Sequence, residues 1–283
     1  MNIKFTKIEA TGNDFIVVDR IKSTENLPKN WEHKVEKICT RKRGIGADGV
    51  LLLENSDTGD FKMRIFNSDG GEVEMCGNGA RCVAYYYNKK YERKKVKFNT
   101  EAGLMRAQKG KGNTVRLSLP DPGDIRLDML LNIEGREMSG SHINTGVPHV
   151  IVETDKLDGL EVEKLGRGIR YNKKFAPDGT NADFVTKIDE KTLKIRTYER
   201  GVEEETLACG TGVIAVAVIE SLKGRVTSPV TVITRGGETM KVYFKKSKGE
   251  DLISRIYDVK LEGPVNIVYT GTFDTDNLSS TGG

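Results

Sequence analysis

Two short runs of this sequence place a cysteine immediately before a glycine, a polar residue and a second glycine. The runs are residues 76–79 and 209–212, which begin at Cys76 and Cys209, and an apolar stretch follows each of them. A cysteine at the start of a helix lies beside unpaired backbone N–H groups and the positive end of the helix dipole. These surroundings favour the thiolate, so the pKa of each cysteine is expected to fall by roughly one unit from ~8.5.

The two turns together fit stereoinversion at an α-carbon. Exposed backbone N–H groups of glycine-rich turns bind anions such as carboxylates. The expected donors are Gly77, Asn78, Gly210 and Thr211. If both turns hold one carboxylate, one thiolate takes the α-proton and the other thiol delivers a proton to the opposite face. Acid–base catalysis supplies only ~10²- to 10⁴-fold, so the N–H groups are also expected to stabilise a carbanion-like transition state.

A purely structural role is the competing interpretation of these cysteines. Buried cysteine is common as a small hydrophobic residue, and a single Cys-Gly-x-Gly run is more often structural than catalytic. The presence of two such runs, 133 residues apart (209 − 76), favours chemistry. Cys39 and Cys82 lie outside these turns, and both are predicted to be packing residues.

Similarity between the two halves extends beyond the cysteines and indicates a duplicated domain. An offset of 134 (230 − 96) aligns residues 96–103 with 230–237, which share apolar positions, a threonine and a glycine. The strand that begins at Asn13 resembles the strand that begins at Asn181. Because little separates Asn181 from the next strand near Tyr198, residues 20–43 are interpreted as an insertion into the first half only.

Hydrophobic periodicity predicts the elements that hold the turns. A helix is expected after each cysteine, and residues 213–219 are apolar all round, which places that helix in the middle of its domain. Hairpins are expected over residues 96–119 and 230–244. The predicted class is α/β (α+β), with two pseudo-symmetric domains, each a mixed, barrel-like sheet around a central helix. Two prolines place the link at residues 120–123, so the expected domains are 1–119 and 120–263, with a tail at 279–283.

Composition limits the function classes. The 283 residues include 45 Lys and Arg and 41 Asp and Glu, for a formal net charge of +4 with both signs interspersed. Neither nucleic acid nor a membrane surface is therefore expected as a partner. The N-terminus lacks the apolar core of a signal peptide, and no stretch approaches the ~18 apolar residues of a membrane span. A cytoplasmic protein with reduced thiols is expected.

The histidines do not have the spacing of a metal site. His33, His142 and His149 are not clustered, and no Cys-x-x-Cys pair is present. No metal is therefore expected. On the residues alone, His149 is compatible with either a surface or a catalytic role. Ordinary roles in turns or surface ion pairs also remain open for Asn13, Asn67, Asn181, Glu199 and Arg200.

These runs together resemble the diaminopimelate epimerase family. The resemblance is carried by residues 11–15, 66–70, 76–82, 146–149, 179–181, 198–201 and 209–212, which extend over almost the whole chain. The two cysteine runs are its most specific parts. The resemblance implies epimerisation of L,L-diaminopimelate to meso-diaminopimelate, in lysine and peptidoglycan precursor synthesis. It further implies that a homodimer acts on this small-molecule substrate without pyridoxal phosphate or another cofactor.

The resemblance also implies roles for individual residues. Cys76 and Cys209 become the two acid/base residues. His149 and Glu199 tune the thiols, and Asn13 contacts substrate near the reacting centre. The distal amino-acid end of the substrate is held by Asn67, Asn181, Glu199 and Arg200. The proximal carboxylate is held by Gly77, Asn78, Gly210 and Thr211. The last strand, at about residues 264–278, is expected to return to the first domain.

Two positions depart from the pattern of some family members. Gly49 stands where those members carry glutamine, and Val147 stands where they carry asparagine before Pro-His. Both positions contact substrate in those members, so the substrate is less firmly specified than the reaction type. The alternative is a related cofactor-independent amino-acid racemase with a different substrate. A thiol redox sensor and a noncatalytic amino-acid-binding module represent other classes of function.

Overall fold

The computed structural model describes residues 2–23, 27–133, 135–247 and 256–275. The chain divides into two compact units: unit 1 comprises Met1–Leu117 and Gly263–Gly283, and unit 2 comprises Ser118–Glu262. The expected tail at residues 279–283 lies outside the described residues. Among the described residues, no helix combines the length and the apolar character that a membrane span requires.

The secondary-structure elements repeat in the same order along the two halves of the chain. The first half contains β1 (Asn2–Ala10), β2 (Asn13–Asp19), α1 (Trp31–Cys39), β3 (Gly49–Glu54), β4 (Phe61–Asn67), β5 (Glu72–Val73), α2 (Gly77–Lys90), β6 (Lys95–Thr100), β7 (Gly103–Lys109) and β8 (Thr114–Ser118). The second half contains β9 (Gly123–Ile133), β10 (Arg136–Asn144), β11 (Pro148–Glu153), α3 (Val162–Arg170), β12 (Asn181–Lys187), β13 (Thr192–Glu199), β14 (Glu204–Thr206), α4 (Gly210–Leu222), β15 (Val230–Ile233), β16 (Thr239–Lys246), β17 (Ile256–Pro264) and β18 (Asn266–Asp274).

Unit 1 contains a mixed sheet whose strand order is β18–β1–β2–β3–β4–β6–β7. Strands β2 and β3 are parallel, with Phe15 opposite Gly49, and β4 is parallel to β6. The other neighbouring strands are antiparallel, and β5 pairs briefly with β4. The last strand of the chain is therefore a member of the first sheet, through its pairing with β1.

Unit 2 repeats this arrangement with the strand order β9–β10–β11–β12–β13–β15–β16–β17. Here β11 and β12 are parallel, with His149 opposite Asn181, and β13 is parallel to β15. The other pairs are antiparallel. Strand β9 occupies the position in unit 2 that β18 occupies in unit 1. The duplication therefore extends to the strand pairing as well as to the sequence.

The interpretation of residues 20–43 as an insertion is wrong. A parallel strand pair requires a long crossover connection, and both units contain one. Helix α1 lies between β2 and β3, and α3 lies between β11 and β12. The strand at Asn13 therefore corresponds to the strand at Pro148, whereas Asn181 corresponds to Gly49. The local likeness between the Asn13 and Asn181 segments misled the alignment because both are short apolar strands that begin with asparagine.

Each sheet surrounds one helix, as the sequence predicts. Helix α2 contacts β1–β4, β6 and β7, and α4 contacts the equivalent strands β10–β13, β15 and β16. Residues 213–219 are all buried in the core of unit 2. Helices α1 and α3 instead pack through apolar residues such as Val35 and Ile169, each against the sheet of its own unit. The central helices α2 and α4 begin directly after Cys76 and Cys209, so the fold fixes where both thiols lie.

Candidate active site

Cys209 is the residue that precedes the first turn of α4. Its backbone is extended (φ −120°, ψ 112°), and its carbonyl accepts a 2.9 Å hydrogen bond from the Val213 N–H. The residue is 7% exposed. The Cys209 Sγ lies 3.3 Å from Thr211 Oγ1. The thiol is therefore buried at a helix N-terminus with a hydroxyl group beside it.

His149 connects this hydroxyl group to a buried carboxylate. Its Nε2 lies 2.9 Å from Thr211 Oγ1, and its Nδ1 lies 2.6 Å from Asp183 Oδ2. Because a carboxylate only accepts hydrogen bonds, Nδ1 carries a proton. The Asn181 Nδ2 lies 3.5 Å from Nε2, so Nε2 is assigned as an acceptor. Cys209, Thr211, His149 and Asp183 then form a continuous hydrogen-bonded chain, which we call the Cys209 relay. His149 is fully buried, so a surface role does not apply.

Asp183 is a site residue that the sequence analysis missed. It lies on β12 with no solvent exposure, and it also accepts a 2.7 Å hydrogen bond from Thr197 Oγ1. A Cβ at Gly212 would lie 2.5 Å from Asp183 Oδ1, so glycine is required where α4 passes this carboxylate. The available signal was a single acidic residue between the apolar neighbours Ala182 and Phe184.

The surroundings of Cys209 oppose ionisation of its thiol. Burial raises the pKa of Cys209 well above its usual value, and the carboxylates of Glu199 and Asp183 add to this effect. The Thr211 hydroxyl and the Gly212 N–H act in the opposite direction. The expectation of a lowered pKa is therefore wrong for Cys209. A helix dipole supplies at most about 2 kcal/mol, which burial beside two carboxylates outweighs.

Glu199 lies at the end of β13 within reach of the same thiol. Burial raises the pKa of its carboxyl group, whereas His149 and the Cys209 thiol favour its charged form. The structure therefore brings Cys209, His149 and Glu199 together, three of the four residues predicted for catalysis. Two acidic side chains, from Glu199 and Asp183, lie next to one cysteine.

Asn181 and Arg200 are joined through the Asn181 side chain. The Asn181 Oδ1 accepts a 2.7 Å hydrogen bond from the Arg200 N–H, and its Nδ2 donates to the Pro148 carbonyl at 3.1 Å. Arg200 is half-buried, and its guanidinium lies 3.4 Å from the Asp178 carbonyl. Asn181 thus fixes the backbone that carries Arg200. Its Nδ2 also lies 3.5 Å from His149 Nε2, so one lone pair of Oδ1 is left for other contacts.

Cys76 occupies the equivalent position in unit 1. It precedes α2 with an extended backbone (φ −139°, ψ 125°), and its carbonyl accepts from the Ala80 N–H at 2.8 Å. It is more exposed than Cys209. A Cβ at Gly77 would have no atom within 4 Å, so the space in front of this turn is open.

The side chains of Asn13 and Asn78 form a pair beside the Cys76 turn. The Asn78 Nδ2 donates to Asn13 Oδ1 at 2.5 Å, and Asn13 Nδ2 donates to Asp48 Oδ2 at 3.2 Å. On its other side, Asn78 Oδ1 accepts from Arg81 Nη2 at 2.7 Å. Asp48 and Arg81 were not among the predicted site residues. Both are charged side chains in stretches that otherwise indicated a turn or a buried helix.

The remaining predicted positions lie at the ends of β3 and β4. Asn67 is exposed and lies directly opposite Gly49 in the strand register. A Cβ at Gly49 would lie 2.4 Å from the Phe66 carbonyl oxygen, so this backbone does not accommodate a larger residue without moving.

Cys39 and Cys82 are buried, and burial raises the pKa of Cys39 to about 12 and that of Cys82 well above its usual value. Their predicted packing role is confirmed.

The described part of the chain contains no group of three or more His, Cys, Asp or Glu side chains arranged to hold a metal ion. The chemistry available in unit 2 is instead a thiol, a hydroxyl group, an imidazole and two carboxylates in contact. In unit 1 it is a thiol beside a pair of amides. Both sets lie at the start of a central helix.

Known proteins with similar sequences include several diaminopimelate epimerases. The family model described as diaminopimelate epimerase matches residues 5–118 and 141–255. A diaminopimelate epimerase from Aquifex aeolicus (strain VF5) is 42% identical over 286 residues, which cover 98% of this chain and 99% of the relative. Another, from Chlorobaculum tepidum, is 40% identical over 269 residues, which cover 94% of this chain and 99% of the relative.

Solved structures with low sequence identity share the fold. A phenazine biosynthesis protein of the PhzF family from Bacillus anthracis matches with a TM-score of 0.73 at 17% identity, over 96% of this chain and 99% of that chain. A hydroxyproline epimerase from Agrobacterium vitis matches with a TM-score of 0.63 at 17% identity, over 96% of this chain and 92% of that chain. These matches confirm the predicted fold class.

Proposed function

Since this chain belongs to the diaminopimelate epimerase family, we propose that it converts L,L-diaminopimelate to meso-diaminopimelate with Cys76 and Cys209 as its two acid/base residues. The observation that carries the proposal is the matched position of the two thiols, each immediately before the central helix of its unit. Inversion needs two such groups, because a proton leaves one face of the α-carbon and another arrives on the opposite face. The reaction uses no pyridoxal phosphate.

The carboxylate next to the reacting carbon binds to the backbone N–H groups at the starts of the two helices. Helix N-termini carry unpaired N–H groups and partial positive charge, so they stabilise a carboxylate and the negative charge that develops on it during proton removal. The open space at Gly77 supports this role. The donors are those of Gly77, Asn78, Gly210 and Thr211.

Cys209 is the proton donor of the substrate-free enzyme. The raised pKa of its thiol keeps it protonated at neutral pH, so Cys76 is the base in the first half of the reaction. When Cys209 gives up its proton, the Thr211 hydroxyl can turn from His149 Nε2 towards the new thiolate, because a hydroxyl rotates freely. The Cys209 relay thereby stabilises the thiolate that the reaction creates. The two cysteines exchange roles in the reverse direction.

The distal amino-acid end of the substrate binds to residues beyond the reacting centre. Arg200 pairs with the distal carboxylate, and a guanidinium recognises such a group through two parallel hydrogen bonds. Asn181 supports this contact because it holds the Arg200 backbone. Asn13 contacts substrate near the reacting carbon. The other distal contacts are Asn67, Asn181 and Glu199. The enzyme is further proposed to be a cytoplasmic homodimer, as the family resemblance implies.

A substrate panel in heavy water tests the proposed activity. The full-length protein is incubated with L,L-diaminopimelate, lysine, proline, 4-hydroxyproline or glutamate, and loss of the α-proton signal is followed by NMR. Only diaminopimelate should exchange rapidly, because only it carries a second amino-acid end for Arg200. Rapid exchange of another amino acid in place of diaminopimelate would indicate the related racemase instead. No exchange of any of them would indicate a binding protein.

Cysteine variants test the assignment of the acid/base residues. Cys76→Ala and Cys209→Ala should each abolish epimerisation, because each removes one of the two proton-transfer groups. Cys39→Ala and Cys82→Ala are the matched controls, since both buried thiols lie outside the two Cys-Gly-x-Gly turns, and they should retain most activity. Substantial epimerisation by either of the first two variants would contradict the assignment.

A further inference from the structure

Arg81 is a fully buried arginine on the central helix of unit 1. It lies five residues after Cys76, and no part of it is exposed to solvent. The equivalent position on α4, at the offset of 133 that relates the two cysteines, is Ile214 (214 − 81). A buried guanidinium is costly unless its surroundings stabilise it. The difference between Arg81 and Ile214 therefore points to a task that unit 1 has and unit 2 lacks.

The contacts of Arg81 determine how the neighbouring amides are oriented. Its Nη2 donates to Thr11 Oγ1 and to Asn78 Oδ1, both at 2.7 Å. A guanidinium has no acceptor, so the oxygen of Asn78, and not its nitrogen, must face Arg81. The Thr11 hydroxyl also donates to the same oxygen, at 3.3 Å. The Asn78 Nδ2 is thereby directed away from Arg81 and towards Asn13.

Asp48 fixes the opposite end of the same chain of hydrogen bonds. Asn13 receives its bond from Asn78 on Oδ1 and donates from Nδ2 to Asp48 Oδ2. A carboxylate only accepts, just as a guanidinium only donates. With Arg81 at one end and Asp48 at the other, both amides have one orientation. Each amide nitrogen then keeps one N–H that is free of this chain and available to a bound oxygen.

Arg81 also contributes positive charge at the start of α2. Burial lowers the pKa of its guanidinium, while negative charge on Cys82, Cys76 or Glu9 favours its charged form. Cys82 and Cys76 belong to the α2 region and Glu9 to β1. Because Arg81 Nη2 reaches the side chain of Asn78, two residues after Cys76, the guanidinium charge lies beside the Cys76 turn. At the start of α4, by contrast, the charged groups beside Cys209 are the acidic Glu199 and Asp183.

We infer that Arg81 is a positioning residue for the proposed reaction: it orients the Asn78–Asn13 pair and stabilises negative charge on Cys76. The inference rests on the proposed function, in which Cys76 is the first base. It also explains why the charged groups near Cys76 and near Cys209 differ. A cation favours a thiolate at one helix start, and two carboxylates favour a thiol at the other.

The test compares Arg81→Met with Arg81→Lys in the full-length protein. Alkylation of Cys76 and Cys209 by iodoacetamide is measured across pH by peptide mass spectrometry. In Arg81→Met, the pH of half-maximal Cys76 alkylation should rise by about one unit, whereas the Cys209 profile of the same sample should stay unchanged. Arg81→Lys should restore most of the Cys76 profile, because it restores the charge.

Kinetics separate the orienting role from a merely structural one. The value of kcat should fall about 10- to 100-fold in Arg81→Met, with a smaller change in KM. Thr11→Val keeps the Arg81 charge but removes one hydrogen-bond partner of Arg81 and Asn78. It should therefore lower kcat less than Arg81→Met and leave the pH dependence of Cys76 alkylation unchanged. That variant provides the kinetic comparison should Arg81→Met not fold.

If the pH dependence of Cys76 alkylation were the same in folded Arg81→Met and in wild type, Arg81 would not stabilise negative charge on Cys76. An unchanged kcat in both Arg81→Met and Thr11→Val would overturn the orienting role. Failure of the proposed function is a separate result, because it is read from the wild-type protein as absence of α-proton exchange with diaminopimelate. The alkylation comparison does not depend on that exchange.

Discussion

At the scale of single residues, the two cysteines have unequal surroundings although their turns repeat. Cys209 is hydrogen-bonded to Thr211 and lies beside the carboxylates of Glu199 and Asp183. The Cys76 turn leads instead into a helix with a buried guanidinium. The proposed reaction needs this difference, because one cysteine must be a protonated thiol while the other is a thiolate that can accept a proton.

Replacement of Asp183 by asparagine tests the Cys209 relay. Asp183 holds the proton on His149 Nδ1 and thereby leaves Nε2 to accept from Thr211. An amide can present a donor instead, which reverses the ring tautomer, so Asp183→Asn should lower kcat about 100-fold or more. The matched control is Asp189→Asn, an exposed acid of the same unit, which should leave kcat unchanged. Wild-type kcat in Asp183→Asn would contradict a role for the relay.

Residues in a repeated motif could be predicted from the sequence, whereas single buried charges could not. Cys76 and Cys209 were found because their turns occur twice. Asp183 and His149 are 34 residues apart and meet only because β11 and β12 are parallel neighbours. No spacing rule connects such residues. The predicted fall in the pKa of Cys209 failed for the same reason, since burial and neighbouring carboxylates come from the tertiary structure.

At the scale of elements, periodicity predicted the central helices and the strands but not the crossover helix of unit 2. The apolar stretch 213–219 follows a glycine-rich turn, which favours a buried helix, and the structure has one. Helix α3 was not predicted because the likeness between the Asn13 and Asn181 segments aligned strands that are not equivalent in the two units. The parallel pairing of β11 with β12 is what requires that helix.

Gly212→Ala tests how closely α4 passes the Cys209 relay. The added Cβ would lie 2.5 Å from Asp183 Oδ1 and 3.3 Å from Thr197 Oγ1. Overpacking of this kind typically costs about 1–3 kcal/mol, so the midpoint of thermal unfolding should fall. Gly77→Ala, on the equivalent helix with open space at its Cβ, should leave the midpoint unchanged or higher. Equal midpoints for Gly212→Ala and wild type would contradict the close approach.

At the scale of the whole molecule, each repeat is followed by a strand that belongs to the sheet of the other repeat. The strand after the first repeat, β9, joins the second sheet, and the strand after the second repeat, β18, joins the first. The free energy of unfolding also depends on ionisable side chains buried within each unit. One of these is Glu220 of α4, whose pKa burial raises to about 7.

Glu220 predicts how the free energy of unfolding depends on pH. The Arg225 Nε lies 3.1 Å from Glu220 Oε2 and favours the charged carboxylate, but burial outweighs it and raises the pKa to about 7, against 4.5 for an ordinary glutamic acid. Because the folded state then binds more protons, this group lowers stability as pH rises from 4.5 to about 7. Glu220→Gln should gain stability relative to wild type over that window, by at most about 3 kcal/mol.

Urea unfolding at several pH values measures the Glu220 effect. Glu137→Gln, at an exposed position of the same unit, is the control and should follow the wild-type pH dependence. The difference between Glu220→Gln and wild type should be smallest below pH 4.5 and constant above pH 8. A difference that does not change with pH would show that the raised pKa is wrong.

In the proposed reaction, two different residues exchange protons with the α-carbon, one on each face. The initial reaction of L,L-diaminopimelate in heavy water tests this exchange, with substrate and product separated and their deuterium content measured. We predict deuterium at the α-carbon of the meso product and almost none in the remaining L,L substrate. The proton removed stays on the first thiol, while the second thiol delivers solvent deuterium. Equal early labelling of substrate and product would indicate a single base and rule out the two-cysteine reaction.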